Sequence, residues 1–208
     1  FHDGTKIYTR LLKRYFEEAF TGGGGTVIES LSFRPGEPAG IPATLGRFDA
    51  VDLAAESAGD AQKVIAKLRA AGFKGPIIGG DGYDNPDAWE GSGISEGVYF
   101  TTHAFPAKGD GAAGPVILAS LRGAYKGGNP DAFGGLGFDA LRLLLASLGG
   151  SPDGLAQRLQ NASPLAGVTG PIAYRKGSRV PAKPVAIVDA KMPRQVLSQI
   201  TPARVPSP

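Results

Sequence analysis

The chain contains no cysteine. That excludes disulfides, zinc-thiolate sites and thiol catalysis, and it leaves the redox compartment open. Imidazoles are scarce, with His2 and His103 alone. No H-E-x-x-H pair and no G-x-S-x-G elbow occurs, so the usual signatures of a zinc hydrolase or an α/β-hydrolase are missing. Basic residues are scattered, the net charge is only +3, and no Lys/Arg block interleaves with aromatics. Nucleic acid is therefore not an expected partner. Long hydrophobic runs are also lacking. The longest, "FDALRLLLASLGG", is short and carries Arg142, so no membrane insertion is expected, and no stretch reads as a signal peptide. The opening "FHDG" lacks Met and reads as the tail of a strand, as in a fragment or a processed chain.

What is present describes a globular protein. Apolar residues make up 42% of 208, enough for one core and for two small lobes. Gly 32 and Pro 17 fall between periodic segments, where they serve as loops and caps. Residues 7–20 form an amphipathic helix pattern: Ile7, Leu11, Tyr15 and Ala19 recur every fourth residue, with Leu12, Phe16 and Phe20 beside them. Lys13 with Glu17 and Arg14 with Glu18 fall at i, i+4 on the wet face. "TGGGGT" closes that helix, and "TVIESLSF" alternates as a strand. "RPGEPAGIPATLGR" reads as loop with one helical turn.

"FDAVDLAA", "GPIIGG" and "EGVYFTT" read as strands. A helix between the first two has Asp60 near its cap and Ala61, Val64, Ile65, Leu68 and Ala71 on one face, and a short helical stretch surrounds Trp89. Strands alternating with helices predict right-handed βαβ units and a mainly parallel sheet. Beyond "THAFPAKGDGAAG" helices are predicted at 115–126, 137–148 and 152–161, with Pro115 and Pro152 in first turns. Residues 138–148 are apolar nearly all round, which predicts deep burial. "GVTGPIAYRKGSRVPAKPVAIVDA" reads as two strands about a glycine turn, followed by a frayed tail.

Ligands of open parallel sheets sit at the carboxyl ends of strands. His2 and Asp3, Glu56 and Ser57, and Asp81 follow three such ends, giving an edge rich in acids and hydroxyls that suits an ammonium group. Asp81, between Gly80 and Gly82, fits a turn cap equally well. Asp81, Asp84 and Asp87 lie three apart and lack the alternating oxygens and terminal Glu of a calcium loop. "GDGAAG", residues 109–114, matches G-x-G-x-x-G, with Asp131 about twenty residues on. It stands away from the end of "YFTTHAF", whereas a dinucleotide loop needs its first glycine there. An α/β enzyme or dinucleotide binder using 109–114 is the alternative reading.

The order of these blocks resembles the second half and more of type I periplasmic ligand-binding proteins, in the Leu/Ile/Val-binding branch of ABC transporter receptors. "HDGTKIYTRLLKRYFEEAFTGGGGTVIE" is similar to that family's D-x-x-x-Y-G-x-G-L helix, glycines and strand. "AGDAQKVIAKLRAAGFKGPIIGGDGYDNP" is similar to its helix, strand and acidic loop. "EGVYFTTHAF", "GFDALRLLLASL" and "GVTGPIAYRKGSRVPAKPVAIV" resemble its later blocks, with Y-D-A and G-x-x-G-x-x-x-F among them. The likeness runs over nearly all of the chain.

The resemblance implies an α/β fold of mainly parallel sheets with flanking helices, in two lobes of which the first is incomplete. Residues 1–101 and 169–208 would form the second lobe, and 102–168 a returning part of the first, whose opening half is absent from the sequence. It implies a non-enzymatic receptor without cofactors. Such a receptor captures an amino acid or related amine or acid by hinge closure and hands it to a membrane permease outside the cytoplasm. Asp81 falls where amino-acid-binding members hold the ligand's ammonium. Ile7 aligns with the tyrosine of Y-G-x-G and Tyr8 stands one step away. Ser57 and Ala58 fall near a position that often supplies an aromatic wall, and Phe138 takes the tyrosine of Y-D-A, where it can serve in packing. These departures point away from a conventional branched-chain ligand.

Overall fold

The structure, a computed structural model, describes residues 1–37, 40–41, 45–103, 119–120, 122–124, 132–175 and 178–202. The chain falls into two compact units: Phe1–Thr101 with Ile187–Gln195, and Thr102–Ala186 with Val196–Pro208.

In the first unit, strand β1 (His2–Asp3) leads into helix α1 (Ile7–Gly22), then β2 (Ser32–Phe33), β3 (Val51–Asp52), α2 (Ala58–Ala70), β4 (Ile77–Gly79), α3 (Pro86–Trp89) and β5 (Val98–Thr102). β1 pairs in parallel with β2 on one side, and His2 bridges Ala54 in parallel on the other. β3 pairs in parallel with β4, and β4 with β5. The strand-and-helix alternation in the sequence thus yields the expected parallel sheet. On its far side Ala190, just past β9 (Val185–Asp189), donates its N–H to the carbonyl of Val98 at 3.0 Å.

α1 ends where its glycines begin, Gly23 N–H returning to the Ala19 carbonyl at 3.0 Å and Gly24 taking φ +90°. The paired charges on its wet face meet at 3.0 Å (Lys13–Glu17) and 3.7 Å (Arg14–Glu18). α2 starts on Ser57, whose hydroxyl accepts the Asp60 N–H, and buries Ala61, Val64, Ile65 and Leu68 against the sheet. At its other end Arg69 donates to the carbonyls of Phe73 (3.0 Å), Gly75 (2.8 Å) and Glu96 (2.9 Å). Tyr83, Trp89 and Phe100 fill the core beside β4 and β5. The predicted turn in 34–47 is a single 3₁₀ turn, Leu45–Arg47.

Only Ser32–Phe33 of the predicted strand "TVIESLSF" joins a ladder. Its register with β1 pairs His2 with Ser32 and Asp3 with Phe33.

In the second unit, helix α4 (Ala132–Ser147) is followed by a 3₁₀ turn at Pro152–Gly154, helix α5 (Leu155–Gln160), and an antiparallel sheet of β6 (Leu165–Gly167), β7 (Gly170–Tyr174) and β8 (Pro181–Ala182). Asp139 of α4 is fully buried and accepts the N–H groups of Val168 (2.9 Å) and Thr169 (2.8 Å), fixing the β6–β7 turn. Two sequence expectations are corrected here. α4 is not deeply buried: Leu143 is covered, but Leu141, Leu144, Leu145 and Leu148 are exposed. Among the described residues, β6 and the turn after it meet α4 at Asp139 and Arg142, and α5 meets it at Ser147. The tail is not frayed throughout either, since β10 spans Gln195–Ile200. Loop 109–114 and most of the helix predicted at 115–126 lie outside the described residues.

Candidate functional site

The carboxyl ends of β1, β3 and β4 lie side by side, and the chain leaves each of them in a short polar loop. After β1, Asp3 is buried and uses Oδ1 to accept the N–H (2.8 Å) and hydroxyl (2.6 Å) of Thr5. Thr9 Oγ1 donates to the Asp3 carbonyl at 2.5 Å. This turn sets the first residues of α1, so that Lys6, Ile7 and Tyr8 stand at the strand ends.

After β4 comes the acidic loop. Asp81 opens the 3₁₀ turn Asp81–Tyr83. The Tyr8 hydroxyl donates to Asp81 Oδ1, joining residues 73 apart in sequence. Burial first, and then the Asp81 carboxylate, push the Tyr8 phenol well above its ordinary range, so it remains a donor at any ordinary pH. The glycines on either side are a steric requirement. A Cβ on Gly80 would sit 2.7 Å from the Tyr8 hydroxyl and 2.6 Å from Leu12 Cδ2. One on Gly82 would sit 2.6 Å from the Ala55 carbonyl oxygen. The loop is held from behind: Tyr83 donates to the Leu53 carbonyl (2.7 Å), and Trp89 Nε1 to the Tyr83 carbonyl (2.8 Å). Asp84, buried, pairs with the nearly buried Arg194 at 2.7 Å.

After β3, Glu56 meets Lys6 at 2.9 Å, a half-exposed ion pair that raises the Lys6 pKa through its hydrogen bond to Glu56. Ser57 caps α2, and its hydroxyl also donates to Asp60 Oδ2 at 2.9 Å. Ala58 is buried in the first turn of α2, and Ile7 is 69% exposed. The structure therefore gathers Ile7, Tyr8, Ser57, Ala58 and Asp81 on one edge of the first unit. Phe138 belongs to the second unit, on α4, with the Arg142 guanidinium 5.9 Å from its ring centroid.

Sequence reasoning missed the Lys6–Glu56 pair. Both residues flank strand ends that were already recognised, and that was the signal available. It also missed Arg194, for which no local pattern exists. His2 Nδ1 is buried without a hydrogen-bond partner, and burial lowers its pKa. Among the described residues no three acidic or histidine side chains converge as a metal would require, and no helix is long and apolar enough to cross a membrane.

No protein-family model matches the sequence, and no curated protein matches it. Solved structures do. A leucine-binding protein, LivK, from Thermotoga maritima is 26% identical with a TM-score of 0.82, over 97% of this chain and 59% of that one. A solute-binding protein from R. palustris in complex with benzoate is 23% identical with a TM-score of 0.75, over 97% and 58%. LivJ from Streptococcus pneumoniae, in complex with isoleucine, is 21% identical with a TM-score of 0.73, over 96% and 58%. The chain has the type I periplasmic-binding fold of these ABC transporter substrate-binding proteins, and it spans about 59% of the length of the first of them.

Proposed function

We propose that this chain is the larger part of a solute receptor for an ABC importer, and that the edge around Asp81 holds the cationic amine of an amino acid or related small molecule. The reading rests on a single juxtaposition: an acid at a strand end, aimed by a tyrosine from another strand end, in a chain with this fold. A carboxylate fixed by a neutral donor needs little rearrangement when an ammonium arrives. Glu56 and Lys6 beside it favour a ligand with charged or polar groups over a purely aliphatic one. Capture is non-enzymatic. A facing lobe closes over this edge and makes contacts that exist only in the closed state, so ligand shifts the population toward closure. The receptor works outside the cytoplasm and delivers to a membrane permease. Such a role asks for no cofactor.

The test is NMR titration of the chain with leucine, phenylalanine, benzoate and ATP at millimolar levels. Amide shifts centred on residues 80–83 are expected with the two amino acids and should disappear in Asp81→Ala. That variant should keep its fold by circular dichroism. Shifts with benzoate but not with amines would refute amine recognition at Asp81. Shifts with ATP alone would favour the nucleotide alternative.

A further inference from the structure

The polar edge of the first unit carries a second acid beside Asp81. Glu56 lies beyond the end of β3 and Asp81 beyond the end of β4, and these two strands pair in parallel. The loops that follow them are in contact: a Cβ on Gly82 would stand 2.7 Å from the Glu56 carbonyl oxygen. The two carboxylates are held differently. Asp81 accepts from a neutral donor, the Tyr8 hydroxyl, and that contact leaves its charge in place. Glu56 instead meets a cation, Lys6, at 2.9 Å. Both members of this pair are about half exposed, so it is an ion pair of small net worth that a competitor can open. Neither adjoining helix needs it. Lys6 stands at the N-cap of α1 without a side-chain cap bond, and α2 is capped by Ser57.

We propose that Glu56 selects the far end of the ligand: the solute is an amine with a second cation a few methylenes away, as in lysine, and that cation replaces Lys6 on Glu56. The inference rests on the amine reading of Asp81 and names the ligand class for that edge. Neighbouring strands lie about 4.8 Å apart, so carboxylates on adjacent strand ends suit two cations joined by a short chain. A ligand can open the Lys6–Glu56 pair in two ways, and the aftermath differs. A ligand carboxylate on Lys6 would release Glu56 beside Asp81. Three negative charges would then share the edge, and Glu56 would have lost the one cation it meets among the described residues. A ligand cation on Glu56 releases Lys6 instead. Glu56 raises the Lys6 pKa most, through its hydrogen bond and its charge, but Asp3 and Asp60 raise it further. Lys6 therefore keeps carboxylates within electrostatic reach when Glu56 is taken. The second exchange leaves every charge compensated, and the first does not.

The experiment titrates the 208-residue chain with lysine, norleucine and glutamate, following the amides of residues 56–58 and 80–83 by NMR. Lysine and norleucine differ only in the terminal ammonium. Lysine should bind about three- to fivefold more tightly, as a half-exposed ion pair allows, and high salt should shrink the margin. Glu56→Gln should erase it and leave the norleucine affinity where it was. Lys6→Met removes the internal competitor and should widen the margin to about tenfold, a gain that a purely structural role for the pair would not produce. Glutamate should bind no more tightly than norleucine. Equal affinities for lysine and norleucine, a margin that survives in Glu56→Gln, or tightest binding of glutamate overturns the inference. The amine reading of Asp81 stands in those cases if norleucine still shifts residues 80–83 and ceases to do so in Asp81→Ala. Binding of none of the three overturns both.

Discussion

At the scale of single residues, the acidic loop shows how little of a site is visible locally. Asp81 was legible as an acid at a strand end because strand, glycine and acid are neighbours in sequence. Tyr8 was reached only through a resemblance, and nothing within a few residues of it points to Asp81. The glycines are the reverse case: they read as flexible turn-formers, but are required because the backbone and Tyr8 approach them. Gly82→Ala should lose about 1–3 kcal/mol in urea denaturation, since its Cβ meets backbone oxygen at 2.6 Å and no side chain can move aside. Arg194→Met should cost about 3–5 kcal/mol by removing the guanidinium that pairs with the buried Asp84 carboxylate. The double variant with Asp84→Asn should recover much of that loss, as a double-mutant cycle would record. Full additivity of the two losses would show that the 2.7 Å pair does not couple.

At the scale of elements, periodicity gave type and approximate bounds well, because it reports which face must be covered. It does not report what covers that face. α1 and α2 came out as read, with α2 beginning on Ser57 three residues before Asp60. α4 shows the limit: a helix apolar nearly all round is expected to be deeply buried, yet Leu143 is covered while Leu141, Leu144, Leu145 and Leu148 are exposed. Leu143→Ala should cost about 2–5 kcal/mol, whereas Leu145→Gln should fall within about 0.5 kcal/mol of the parent. Chemical denaturation of the two variants distinguishes a one-sided helix from an enclosed one. β10 escaped notice because "QVLSQI" follows a lysine- and proline-containing stretch, which masked its alternation.

At the scale of the whole molecule, α/β class and parallel order were legible because each βαβ unit is local in sequence. The antiparallel β6–β7–β8 sheet was only partly so, since Asp139, which fixes its first turn, lies 29 residues before Val168. Stability should also depend on pH through one strand residue. Asp52 is pushed up to about 7, chiefly by burial, which the positive charge at Phe1 opposes and Glu17 reinforces. Its folded-state value exceeds the unfolded one, so the neutral acid favours the fold. That contribution is complete below pH ~4 and is lost as pH rises through ~7. Unfolding free energy should therefore fall by a few kcal/mol across this window, and Asp52→Asn should flatten the profile. A parent profile already flat from pH 4 to 7 would contradict the burial assigned to this carboxyl.

Arg69 bears on how such a protein could change over time. One planar cation binds three carbonyls from the end of α2 and the approaches to β4 and β5, and a lysine ammonium, with no fork, could not serve all of them in the same geometry. Loops 71–76 and 91–97 are thereby coupled, so a length change in either displaces an anchor of the other. A change of length in either loop must therefore keep both anchors within reach of the one guanidinium, which ties the spacing before β4 to the spacing before β5.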